Sequence, residues 1–218
     1  DEIGRGTSTF DGLALAGATA QAREPRMGVE FIASNFPDSS YQDVLNAMAY
    51  SAAVGPYSSK IWHWGESDFL ATLQAIVPIM HDVGLKSIVQ ISPTFLGNPA
   101  PPAGFAKSFA DPFVRSRFLR DVEALARLKP DYLVLIAEAN LMYRYNRAEF
   151  DRFKLLYRDA YNRTKLISPN TKVGASYHHL LWFAQKYLED TDVPNVLTPY
   201  DFIAFTTYPD SLIRDGIF

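Results

Sequence analysis

The chain has 218 residues, 48% hydrophobic and 21% charged, enough for one sizeable globular domain. Lys and Arg number 21 against 24 Asp and Glu, a formal net charge of -3 that lacks the basic excess of a nucleic-acid binder. No run approaches the ~20 apolar residues of a membrane span. Cysteine is absent, which excludes disulfides, thiolate metal sites and cysteine nucleophiles.

Residues 1–26 read as an N-terminal arm. The short apolar run at 12–22 is preceded by acidic Asp1, Glu2 and Asp11, where a signal peptide carries positive charge. Residues 27–34 (MGVEFIAS) read as a first strand ending in a turn at 35–39. Tyr41, Val44, Leu45, Met48 and Ala52 then recur at helical spacing, and Gly55-Pro56 stops that helix. A second strand covers 60–64. Ser67 is positioned to cap a second helix with Phe69, Leu70, Leu73, Ile76, Val77 and Met80 inward, a kink at Pro78 and an end at Gly84. Residues 85–91 form a third strand, and a proline- and glycine-rich loop follows at 92–110.

Asp111-Pro112 is a cap followed by a first-turn proline, and Val114, Phe118, Val122 and Leu125 mark the third helix. Residues 131–137 (DYLVLIA) form a fourth strand. Asn146 and Glu149 have the spacing of a capping box before a fourth helix. Strands at 171–177 and 200–207 flank a shorter helix at 181–188.

Strand–helix alternation with mostly apolar strands predicts a parallel sheet covered by helices. One unit per ~35 residues, eight units in ~280, is the scale of a (β/α)8 TIM-barrel-like fold, of which residues 27–218 would cover strands 1–6 and lack the C-terminal remainder. No GxGxxG or GxxxxGK[ST] follows a strand, so no nucleotide cofactor is expected. The H-x-x-x-H pattern is missing too, and no metal is expected.

Barrel chemistry gathers at the carboxyl ends of the strands. Those ends here offer Asn35, then His63 and Trp64, then Glu138 and Asn140, then His178 and His179, and finally Tyr208. Glu138 follows five apolar residues that carry it to the rim of the core, where partial desolvation favours the protonated form a general acid needs. A structural alternative pairs it with Arg144 or Arg147. Adjacent His178 and His179 cannot both point into one mouth. Trp64 could offer its ring to a sugar face.

The ordered set YLVLIAEAN (132–140), VGASYHH (173–179) and DFIAFTTYP (201–209) resembles the retaining glycoside hydrolase superfamily on (β/α)8 barrels, and its endo-β-galactanase and endoglycanase members in particular. The resemblance implies that Glu138 is the acid/base ending strand four and that the substrate is a carbohydrate, an oligo- or polysaccharide. Asn35, Trp64, Asn140, His178, His179 and Tyr208 would position the sugar. Two departures stand out. The family usually carries Asn directly before the acid/base, where this chain has Ala137, with Asn140 following two residues after Glu138. The family's nucleophile ends strand seven, and the 218 residues include no seventh strand.

Two expectations follow. The natural chain continues and is a retaining β-glycosidase, or the barrel is a catalytically inactive structural or docking subunit of a larger assembly. In either case a further segment or a protein partner would cover the open barrel edge. A cysteine-free chain suits oxidising and reducing surroundings alike, and the expected location is extracytoplasmic, periplasmic or secreted.

Overall fold

The computed structural model describes residues 28–30, 38–65, 69–189 and 193–206. The arm at 1–26, Asn35 and Tyr208 lie outside them.

In chain order the elements are β1 (Gly28–Glu30), α1 (Tyr41–Val54), β2 (Tyr57–His63), α2 (Leu70–Asp82), β3 (Lys86–Ser92), β4 (Thr94–Phe95), β5 (Asn98–Pro99), α3 (Pro112–Arg127), β6 (Tyr132–Val134), α4 (Ala139–Tyr145), α5 (Arg147–Ile167), β7 (Lys172–His178), α6 (His179–Leu188), α7 (Val193–Val196) and β8 (Phe202–Thr206). Six of the strands form one sheet in the order β1-β2-β3-β6-β7-β8, and every pairing is parallel. The strands never reverse their order, as they would in a doubly wound sheet. This is the wall of a (β/α)8-type barrel, as the alternation predicted. β4 and β5 form a separate antiparallel hairpin inside the loop at 92–110, which the proline content had concealed.

Period-2 alternation gives β2, β3, β6, β7 and β8 two largely buried faces. Tyr57, Ile88, Val134, Phe202 and Ala204 meet inside the wall, with Tyr132 packed on them. The alternate residues, among them Trp62, Val89, Ile91, Leu133, Val173, Ala175 and Tyr177, join Phe118, Val122, Phe153 and Tyr157 of α3 and α5 in the larger outer core. Burial of each of the larger aliphatic side chains and phenylalanines among these contributes about 1.5–3 kcal/mol. Gly174 is required where β7 meets β8: a Cβ there would lie 2.3 Å from the Phe202 carbonyl oxygen.

Local signals hold in part. Ser40 and Asp43 cap α1 reciprocally. The Asp111 carboxylate accepts from the amides of Phe113 and Val114, with Pro112 in the first turn of α3. Gly84 closes the α2 turn at φ +79°, and α2 continues through Pro78. The capping box at α5 is only half made. Asn146 accepts from the Glu149 amide, but the Glu149 carboxylate, 6% exposed, turns away to accept from Ser108 Oγ and the Phe109 amide, both at 2.7 Å. Glu149 therefore clamps the long loop onto α5. Among the described residues no helix is long and apolar enough to cross a membrane.

Candidate active site

The inner face determines which side chains reach the mouth. The register pairs Phe202 with Gly174, Ala204 with Ser176 and Thr206 with His178. Ala204 belongs to the inner cluster, so Ser176 lies level with it on that face, and His178 and Thr206 follow one step nearer the carboxyl end. On β2 and β3 the same count brings His63 and its partner Ser92 to the rim.

Glu138 sits where the chain leaves β6 and enters α4. Its backbone is left-handed, φ 49° and ψ 49°, a conformation that costs a non-glycine residue about 1–3 kcal/mol and is often kept at functional sites. Two neighbouring strands hold it there. Its amide donates to Ser176 Oγ of β7 at 3.1 Å, and Thr206 Oγ1 of β8 donates to Glu138 Oε1 at 2.7 Å. The carboxylate is half-buried. The arginines that offered a structural pairing are engaged elsewhere, Arg144 with Glu189 and Arg147 with Asp151.

His178 ends β7 and caps α6, with its Nδ1 accepting from the Leu181 amide at 3.3 Å. That bond uses the Nδ1 lone pair, so the neutral ring carries its proton on Nε2. His179 faces the other way. Its ring stacks on Trp182 at 6.4 Å and meets Phe205 edge-on at 5.8 Å, in the layer between sheet and helices. Of the adjacent pair, His178 is the one on the mouth side.

Two further expected sugar contacts are placed in the protein interior. Trp64 is 1% exposed, packs edge-on against Phe118 at 5.4 Å, and donates from Nε1 to Asp121 at 2.8 Å. Alternation explains the correction: Trp62 and Trp64 share the outer face, and His63 between them takes the inner one. Asn140 is fully buried. Its Oδ1 accepts from the His178 amide at 2.8 Å, and its Nδ2 donates to the His178 carbonyl at 2.9 Å. It is a strut that fixes the end of β7 against α4. Asn35 and Tyr208 lie outside the described residues. Ser176 and Thr206, which hold Glu138, escaped the sequence reading because small hydroxyls inside apolar strands carry no signal until the register aligns them.

A serine, a histidine and an aspartate also meet at the opposite, amino-terminal end of the sheet. There His81 Nε2 lies 2.8 Å from Ser87 Oγ and 3.3 Å from Asp131 Oδ2. Both partners use the same ring nitrogen, whereas a catalytic triad orients the base through Nδ1 and activates the serine through Nε2. The cluster is a structural junction. Asp131 also accepts from the Ser87 amide and pairs with Lys86 at 2.9 Å.

No family model and no curated protein matches the chain. Solved structures do match. GH5_18 from Streptomyces cattleya in complex with Manb1-4GlcNAc superposes with a TM-score of 0.58 at 15% identity, over 81% of this chain and 48% of that one. A beta-glucosidase, 1317, gives 0.56 at 16%, over 79% and 58%. The AHE enzyme of Alicyclobacillus herbarius gives 0.52 at 10%, over 75% and 52%. The chain thus spans about half the length of the structures it matches. At these identities the likeness shows the fold alone, a (β/α)8-type barrel.

Proposed function

We propose that the complete protein is a retaining glycoside hydrolase acting on β-glycosidic bonds of oligo- or polysaccharides outside the cytoplasm, with Glu138 as its acid/base. The observation that carries this reading is the half-buried Glu138 carboxylate at the carboxyl end of the fourth barrel strand, oriented by Thr206 and Ser176 of the next two strands. In the first step Glu138 gives its proton to the leaving glycosidic oxygen. In the second, as a carboxylate, it takes a proton from the water that attacks the glycosyl-enzyme. Thr206 donates to Oε1 and so orients the carboxyl group. His178, with its ring fixed by the Leu181 amide, lines the same mouth. The mechanism requires a second carboxylate ~5–5.5 Å from the first, which in this reading a seventh strand supplies.

The test uses the full natural chain. Glu138→Gln is expected to lower turnover of β-linked oligosaccharides by ~10²–10⁴-fold. It should spare the first step on activated aryl β-glycosides, whose leaving groups need little protonation. Azide added to Glu138→Ala should yield a glycosyl azide of retained configuration. Equal losses on both substrate classes, or an azide product of inverted configuration, would refute the assignment. If the native chain turns over no member of a panel of β-glucosides, β-mannosides and β-galactans, the inactive docking subunit becomes the better reading. Its contact surface would be the outer edges of β1 and β8, each with one neighbour among the described residues.

A further inference from the structure

A pocket of about 520 Å³ opens on the same rim, between the ends of β2 and β3 and the loop that leaves β3. His63, Ser92, Asn98 and Lys107 supply its polar atoms, and Phe95 and Leu96 form an apolar wall. No acidic side chain lines it among the described residues. Lys107 and His63 have no ion-pair or hydrogen-bond partner there either.

Both walls are built into the fold. On one side the β4–β5 turn is drawn onto α4, directly after Glu138: Gly97, at φ +78°, lies so close that a Cβ would sit 2.8 Å from the Leu141 carbonyl oxygen. Asn146 Nδ2 also donates to Asn98 Oδ1 at 3.1 Å. These contacts hold Phe95 and Leu96 outward at 62% and 68% exposure, an unusual position for large apolar side chains in an anchored turn. On the other side Ser108 and Phe109 are clamped by Glu149, and the buried Phe109 ring packs on Phe153 at 4.9 Å. The backbone that carries Lys107 is thereby fixed next to the clamp.

We propose that this pocket is a subsite for a sugar residue bearing an anionic substituent, a uronate carboxylate, with the ring against Phe95 and the anion on Lys107 and His63. An exposed aromatic face suits the C–H face of a pyranose. An ammonium without a partner among the described residues, in a pocket whose described lining holds no carboxylate, gives the site a charge preference that a neutral sugar would not use. The inference rests on the glycoside hydrolase reading, and it adds the charge of the glycan that the reading leaves open.

The test is equilibrium binding to the full natural chain of a β-1,4-glucuronan tetrasaccharide and of cellotetraose, which differ in the C6 carboxylate. Cellotetraose 6-sulfate and free glucuronate are the additional arms. The glucuronan should bind about fivefold more tightly than cellotetraose at low salt, a preference that shrinks as ionic strength rises. Lys107→Gln should abolish the preference, and Phe95→Ala should weaken both glycans together. Tighter binding of the sulfate than of the glucuronan would reassign the anion to a sulfate ester and overturn the uronate. A preference that survives Lys107→Gln, equal affinities for the two glycans, or no binding of either would overturn the subsite. Because the readout is binding, a charge preference without turnover would uphold the subsite while rejecting Glu138 as acid/base. Turnover without a charge preference would do the reverse.

Discussion

Asn140 separates a structural from a substrate role most sharply, because sequence spacing and tertiary structure assign it different work. Its amide closes two hydrogen bonds with the backbone of His178, 2.8 Å as acceptor and 2.9 Å as donor, from a fully buried position. Asn140→Ala removes both hydrogen bonds in a partly buried place. At about 1–1.5 kcal/mol each, the expected loss of stability is about 2–3 kcal/mol. Asn140→Asp keeps the acceptor for the His178 amide but places a buried charge beside the His178 carbonyl, so it should cost at least as much. Urea unfolding followed by tryptophan fluorescence measures both, and an unchanged denaturant slope would certify that the midpoint shift is a stability change. A substrate ligand would behave oppositely, with KM raised and stability untouched. A loss below about 0.5 kcal/mol for Asn140→Ala would refute the strut and return Asn140 to the sugar.

Two further outcomes follow from particular contacts. Gly97→Ala forces a side chain into a left-handed backbone and against the Leu141 carbonyl. It should cost about 1–3 kcal/mol by the same unfolding assay and lower affinity for both tetrasaccharides. Burial opposes ionisation of Asp131, but the hydrogen bond from Lys86, the Ser87 amide and the charge of Lys86 outweigh it and hold the carboxyl below its ordinary 3.8. A depressed folded pKa stabilises the fold above the unfolded value and is lost as pH falls through the folded one. Unfolding midpoints should therefore drop below about pH 4, and Asp131→Asn should flatten that drop while lowering stability near neutrality; an unaltered acid limb would show that Asp131 is not among its sources.

The sheet was legible because its signal is local and repeated. Each strand is a short apolar run bounded by turn residues, and the helices between them carry 3.6-residue stripes such as Val114, Phe118, Val122 and Leu125. The Asp111-Pro112 cap and the Gly84 stop were equally readable, since each acts within one turn of its own helix. Glu138 could also be placed at a strand end from the five apolar residues before it.

The identity of the residues around Glu138 was decided by the tertiary structure. Facing is a period-2 property, so a one-residue choice of register exchanges mouth and core. That choice sent Trp64 and His179 to the outer layer and brought His63 and His178 to the rim. Asn140 was misread because its partner, the backbone of His178, lies 38 residues away in sequence. For Glu149 the local capping geometry lost to a distant pair of donors at Ser108 and Phe109. The β4–β5 hairpin depends on the contact of Gly97 with α4, a helix that itself begins at a left-handed Glu138. Hydrophobic periodicity is written into neighbouring residues and survives without the fold. Polar partnerships join residues that are neighbours only after the strands have chosen their register, and the site is built from those.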